Sequence, residues 1–216
     1  MRFTIVVVLV AVVYVHAPRV AEAQSPTFTV SGTHITFLDN DLRTLDSGFG
    51  FGFAAAYPVT DHIRVEGGYE RSVFGIRDAH IVLSDDFFGR RFSTDTTGTA
   101  RIQVVYVEPQ VLFHALHESR SLRPYAAVRI GYVHHRNRLE DGSECQPDAC
   151  FGPLSEPSRT GFSLTGSIGE VVELSSRFAL VGALSIGHHQ VSDGDSLAGA
   201  LTDITLAFRL GGTVTP

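Results

Sequence analysis

Tryptophan and lysine are both missing from this chain, methionine occurs once and cysteine only twice. Without lysine, all 17 basic residues are arginines, and against 23 acidic residues they leave a formal net charge of −6. That balance argues against a nucleic-acid partner, which needs a basic surface. Cys145 and Cys150 stand in "ECQPDAC". This loop offers too few ligands for a zinc site, so in an exported protein the pair is expected to close one small disulfide loop. No apolar run approaches the roughly 20 residues of a membrane-spanning helix. No G-x-S-x-G, H-E-x-x-H or glycosylation motif is present, and the glycine run 48–52 is followed by neither a lysine nor a helix start, so it is not a phosphate loop.

What the chain does have begins with an export signature. Met1-Arg2 supplies a positive start, Ile5 to Ala17 is almost wholly apolar, and Ala21-Glu22-Ala23 is a small-x-small cleavage pattern. Residues 1–23 are therefore read as a cleaved signal peptide, with the mature domain over 24–216. The rival reading, a membrane anchor, would need a longer apolar stretch.

Beyond residue 24 the pattern is one of period two, as half-buried strands show. From Ile63, one face carries Ile63, Val65, Gly67, Tyr69 and Val73, and the other Arg64, Glu66, Gly68, Glu70 and Ser72. The same split recurs in "VVYVEPQVLF", "LRPYAAVRIGYVHH", "RFALVGALSIGHH" and "LTDITLAFRL". In "GFSLTGSIGEVVEL" the alternation carries Glu170 onto the apolar face, and a bulge near Gly169 is expected to return it to the polar one. "PTFTVSGTHITFL" reads as a weaker strand with its register broken at Ser31-Gly32.

Short connections ("PVTD", "HESRS", "LSS") alternate with longer polar ones at 75–98, 136–158 and 192–196. With "DNDLRTLDS" as the first long loop, eight strands follow: 27–38, 48–57, 62–74, 100–114, 122–135, 160–173, 177–190 and 198–210. Strands of this length can close on themselves and leave no exposed edge. One face is rich in Phe49, Phe51, Phe53 and aliphatics, while the other is glycine, alanine, serine and threonine with isolated charges. A soluble exterior would carry long polar side chains, and the interior of a small barrel has little volume. The fold class is thus all-β, an eight-stranded antiparallel up-and-down transmembrane β-barrel, apolar side outward. "GFGFGF" places Phe49, Phe51 and Phe53 against lipid and Gly48, Gly50 and Gly52 toward the lumen.

Parity then gathers the charges inside: Arg64, Arg123, Arg129, Arg177 and Arg209 against Glu66, Glu70, Glu108 and Asp203. Near-neutrality is what buried charges need if they pair. A lumenal charge network with Arg129, Glu108 and Glu66 near its centre is expected, filling the barrel and not conducting ions.

The export signal with "VEGGYE", "VEPQVLF", "LRPYAAVRIGY" and "LTDITLAFRL" resembles the small outer-membrane β-barrel superfamily of Gram-negative bacteria, which includes OmpA-like and OmpX-like domains. The resemblance covers most of the mature chain and implies an outer-membrane location, short periplasmic turns and long extracellular loops. The chain departs from the pattern in three ways. Phe208 is followed by "RLGGTVTP", whereas such proteins commonly end on an aromatic residue. Without tryptophan, an interfacial girdle would rest on Tyr57, Tyr69, Tyr106, Tyr132 and phenylalanines. No segment among these residues corresponds to the peptidoglycan-binding domain of full OmpA proteins.

A structural or surface-interaction role follows, with membrane lipids as partners and an extracellular partner through loops 75–98 and 136–158; the oligomeric state is left open. A narrow small-solute channel is one alternative. Another is a lipid A deacylase of the PagL kind, which uses a histidine and a serine near a strand end. Here His189 and Ser192 lie three apart, on opposite faces of a strand, while His188 has the right parity. Adjacent histidines such as His134-His135 also point to opposite faces and cannot share one metal. No catalytic, cofactor or metal site is expected.

Overall fold

Alternation along the chain becomes alternation of exposure in space. The structure is a computed structural model that describes residues 25–40, 45–85, 90–116, 121–139, 158–192 and 201–216. Its strands, in chain order, are β1 (Thr27–Asn40), β2 (Leu45–Pro58), β3 (Ile63–Asp85), β4 (Arg90–Leu112), β5 (Leu122–Leu139), β6 (Arg159–Glu173), β7 (Phe178–Ser192) and β8 (Leu201–Val214). Each pairs antiparallel with the next, and β1 pairs with β8 from Phe28↔Val214 to Asn40↔Asp203, closing the barrel. Closure satisfies the backbone groups that an open edge would leave bare.

Both ends of the barrel chain and the three short connections lie at one rim. The β2–β3 turn is held by Val59 N–H donating to Ile63 O at 2.8 Å, and the β6–β7 turn by Leu174 N–H donating to Phe178 O at 2.9 Å. The longer connections lie at the opposite rim.

On β2, Phe49, Phe51 and Phe53 are 72%, 55% and 57% exposed, while Gly48, Gly52, Ala54 and Ala56 are buried. Val128, Ile130, Leu164, Ile168, Leu184, Ile186, Phe208 and Leu210 continue the apolar exterior round the other strands. Inside, the filling is layered. Leu112, Tyr125, Ala127, Val171, Val181 and Ala183 pack together toward the short-turn rim. Ile35, Phe74, Ile76, Ile102, Val104 and Val133 form a second apolar cluster toward the other rim. The charged side chains lie between the two.

Several boundaries and registers differ from the sequence reading. Most of the segment 75–98, expected as a loop, is strand: β3 and β4 stay paired out to Asp85↔Arg90, with a register shift between Ile76 and Ala79. Ile81-Val82-Leu83 pair there with Thr94, Ser93 and Phe92, residues suited to strands, but beyond the lipid no apolar face is needed to mark the strand. β8 likewise runs past Leu210 to Val214.

The bulge near Gly169 does not exist. β6 pairs without a break with β5 and β7, so Glu170 points outward and Val171 into the lumen. Glu170 sits close to the short-turn rim, where a carboxylate reaches water, and Val171 completes the lower apolar cluster. β1 is also unbroken at Ser31-Gly32: Thr29, Ser31, Thr33 and Ile35 all face inward, and the one shift against β8 comes later, between Phe37 and Asp39. Tyr106 is buried in the lumen instead of joining the interfacial girdle.

Candidate functional site

The lumenal site is built by register. Glu66 of β3 stands directly opposite Glu108 of β4, with Gln110 one step along the same face. Like charges placed this way repel. Arg209, inward on β8 and so on the far wall from β4, crosses the lumen to both carboxylates. Its Nη1 donates to Glu66 Oε1 at 2.9 Å and its Nη2 to Glu108 Oε1 at 3.3 Å. Nη2 also reaches Tyr125 Oη at 3.3 Å, and Tyr106 Oη donates to Glu66 Oε1 at 3.0 Å.

Arg129 of β5 supplies the second cation. Its Nε donates to the other Glu108 oxygen, Oε2, at 2.6 Å, and its Nη1 to Glu70 Oε2 at 3.0 Å. The guanidinium lies 3.8 Å from the centroid of the Tyr106 ring, a cation–π stack. Gln110 Nε2 donates to Glu108 Oε1 at 2.8 Å, while its carbonyl accepts from Arg64 Nε. Two arginines (Arg129, Arg209) therefore meet three glutamates (Glu66, Glu70, Glu108), Arg64 joins through Gln110, and Glu108 has no exposed surface at all. Charges so deeply placed persist because every carboxylate is met by donors.

Two glycines make room for the tyrosines. A Cβ on Gly68 would fall 2.7 Å from the Tyr106 ring, and one on Gly169 would fall 2.5 Å from that of Tyr125. The rings lie flat across bare backbone, which is how a barrel this narrow holds two large side chains in its charged layer.

The remaining sequence candidates fall elsewhere. Arg177 is exposed in the β6–β7 turn; its lumenal placement extended strand parity one residue past the start of β7. Arg123 is lumenal but lies near the short-turn rim, donating to Leu116 O at 2.7 Å and paired with Glu173 at 3.1 Å. Asp203 is on β8 opposite His189 and Asn40, and its side chain is outside those described. Cys145 and Cys150 lie outside the described residues, as do residues 1–23. Tyr106, Tyr125 and Gln110 are the members that sequence reasoning did not enlist, although each shares parity with the charges beside it.

Above the charged layer, toward the long-loop rim, a cup opens among the apolar side chains Ile35, Phe74, Ile102 and Val104 and several polar ones, with ≈ 610 Å³ of empty space including its mouth. Thr33, Ser72, Ser163, Thr165 and His189 line its wall, with Arg129 and Arg209 also reaching it. His189 contacts Thr205 Oγ1 at 3.2 Å. His188 is exposed on the outer wall, so these two histidines do not share a side. The Ser192 side chain is outside those described. His134 and His135 are divided in the same way, the first outward and the second in the lumen.

No curated protein matches the chain at a significant level. Among solved structures it is similar to neisserial surface protein A (NspA), with a TM-score of 0.58 and 14% identity over 91% of this chain and 100% of that one. It is also similar to the outer membrane protein OprG from Pseudomonas aeruginosa, with a TM-score of 0.51 and 12% identity over 89% and 96% of the two chains. Ail, the attachment invasion locus protein of Yersinia pestis, aligns at 0.47 and 15% identity over 88% and 95%. At such identities the likeness to NspA and OprG concerns the fold. The model of the outer membrane protein beta-barrel domain, however, matches residues 5–209. The chain thus belongs to the outer-membrane protein β-barrel family, and its place is the outer membrane of the cell.

Proposed function

We propose that this protein is a closed, non-enzymatic barrel whose role is structural or surface-interacting, with the lumen acting as a rigid fill and the extracellular side presenting the contacts. The observation that carries this reading is Arg209, which bridges from β8 to Glu66 and Glu108 on the opposite wall. With Arg129, Tyr106, Tyr125 and Gln110 around it, the guanidinium occupies the middle of the barrel between two apolar clusters. A solute crossing the lumen would have to break this layer. The cup above it ends at this layer. The extracellular segments 75–98, now largely a paired hairpin, and 136–158 are the surfaces through which a partner outside the cell would be met.

The test is electrical. Purified barrel, shown folded by its heat-dependent shift in a detergent gel, is added to planar lipid bilayers. Absence of steady single-channel steps is expected, and reproducible unitary steps would favour the small-solute channel instead. For the enzymatic alternative, mass spectra of lipid A from cells expressing the native chain and Ser192→Ala are expected to coincide; loss of an acyl chain only with the native protein would establish a deacylase.

A further inference from the structure

On the outer wall, strand register builds successive rows across β3, β4 and β5. Tyr69, Val105 and Tyr132 form one row, and Phe162 of β6 extends it, its ring 6.3 Å from that of Tyr132. The next row toward the long-loop rim is Arg71, Gln103 and His134, then Val73, Arg101 and Arg136, then Gly75, Thr99 and Arg138. All four arginines share the outward parity. Arg101, Arg136 and Arg138 are exposed and Arg71 half-buried.

Arg101 thus faces Arg136 directly and has Arg71 and Arg138 on its diagonals. Such neighbours sit ~4.5–5.5 Å apart when opposite and ~7–8 Å on the diagonal, and like charges directly opposite destabilise a sheet. None of the four arginines is ion-paired among the described residues. The Asp46 carboxylate lies against Gly75, at the β2 edge of the last row. In a chain of net charge −6, a patch of four cations without an ion pair among the described residues is a local feature and not a consequence of composition.

We propose that this patch docks the phosphate groups of a glycolipid of the lipid A class in the outer leaflet. Tyrosines mark the level where hydrocarbon meets headgroups, and the arginines begin one residue pair beyond them. The guanidinium fork matches phosphate oxygens in a bidentate geometry, and Gln103 and His134 add further polar groups at the lower edge. The position on the barrel wall, just above the lipid belt, fits a lipid headgroup better than a soluble polyanion, which would meet the loop tips first. A bound phosphate also cancels the Arg101–Arg136 repulsion, so the lipid should stabilise the barrel.

The experiment uses the full mature barrel in zwitterionic detergent micelles, with bisphosphorylated lipid A and its dephosphorylated form as probes, read by native mass spectrometry. The native protein is expected to retain the bisphosphorylated form at least about tenfold more tightly than Arg101→Gln/Arg136→Gln, with no difference for the dephosphorylated form. Lipid A should also raise the heat-modification midpoint of the native protein alone. Equal retention by native and variant overturns the proposal. So does a variant that loses binding to a sulfated polysaccharide while keeping lipid A, since the patch would then serve a soluble polyanion. Should the double variant not fold, Arg138→Gln, an exposed site near the end of β5, makes the same comparison.

Discussion

Glu66 and Glu108 face each other as register partners on β3 and β4, and a single arginine from the far wall, Arg209, holds both. The local arrangement is repulsive, and only the closed barrel makes it tolerable. Removing the cation therefore exposes the conflict. Arg209→Ala is expected to cost about 3–5 kcal/mol, because buried Glu66 loses its guanidinium partner and buried Glu108 one of its two. Adding Glu66→Gln to that variant should recover part of the loss, because one of the opposed charges is gone. The urea midpoint of the folded gel band reads both, and an unchanged midpoint in Arg209→Ala would contradict the bridge.

Tyr106 plays two parts that can be separated. Tyr106→Phe removes the hydroxyl that donates to Glu66 but keeps the ring under Arg129. A loss of about 1–3 kcal/mol is expected, since Glu66 forfeits one buried donor. The same urea titration checks it, and a loss as large as that of Arg209→Ala would show that the ring has moved.

The glycine–phenylalanine run gives an inverted mutational rule. A Cβ on Gly50 would fall 2.9 Å from Arg71 O and closer still to Ser72 Oγ. Gly50→Leu should cost about 1–3 kcal/mol or prevent assembly, whereas Phe51→Leu, facing lipid, should stay below about 1.5 kcal/mol. The measurement is the folded fraction after dilution from urea into detergent, and the reverse order would place the faces wrongly.

The outward Glu170 makes a comparison by depth. Leu164→Arg, six residues farther up the same face of β6, is expected to cost about 2–4 kcal/mol in a lipid bilayer, and Glu170→Arg only about 0–1. Folding titrations in vesicles test this, and equal penalties would mean that both sites lie at one depth.

Two expectations concern residues outside the described structure. Protein isolated from the outer membrane of an expressing host should begin near Gln24, as read by intact mass. Its mass should rise with alkylation only after reduction, if Cys145 and Cys150 are joined. Retention of residues 1–23, or alkylation without reductant, would remove the signal peptide or the disulfide respectively.

Strand number, strand order and the facing of "GFGFGF" were legible because lipid outside and a narrow lumen inside impose opposite demands on alternate residues. Where that contrast stops, legibility stops. Above the membrane, β3 and β4 run on to Asp85↔Arg90 through polar sequence that resembles a loop. At the rim, Arg177 leaves the strand and its parity no longer indicates a side. Glu170 was misread because a carboxylate near the rim can share the outer face without harm.

By itself, then, the sequence determined the lipid and lumen faces along the middle of the strands and put Arg64, Arg129, Arg209, Glu66, Glu70 and Glu108 on the inner one, while at the rim it misplaced Arg177 and Glu170. It could not determine who meets whom in the lumen. Arg209 and Glu66 are 143 positions apart, and their contact depends on the closure of β1 on β8 and on the stagger of all the strands between. The same holds for the four arginines on the outer wall: three strands carry them, and only register brings Arg101 and Arg136 side by side. Alternation is a property of one strand and is written locally. Pairing across a lumen or between strands depends on the shape of the whole closed sheet, which only the folded chain has.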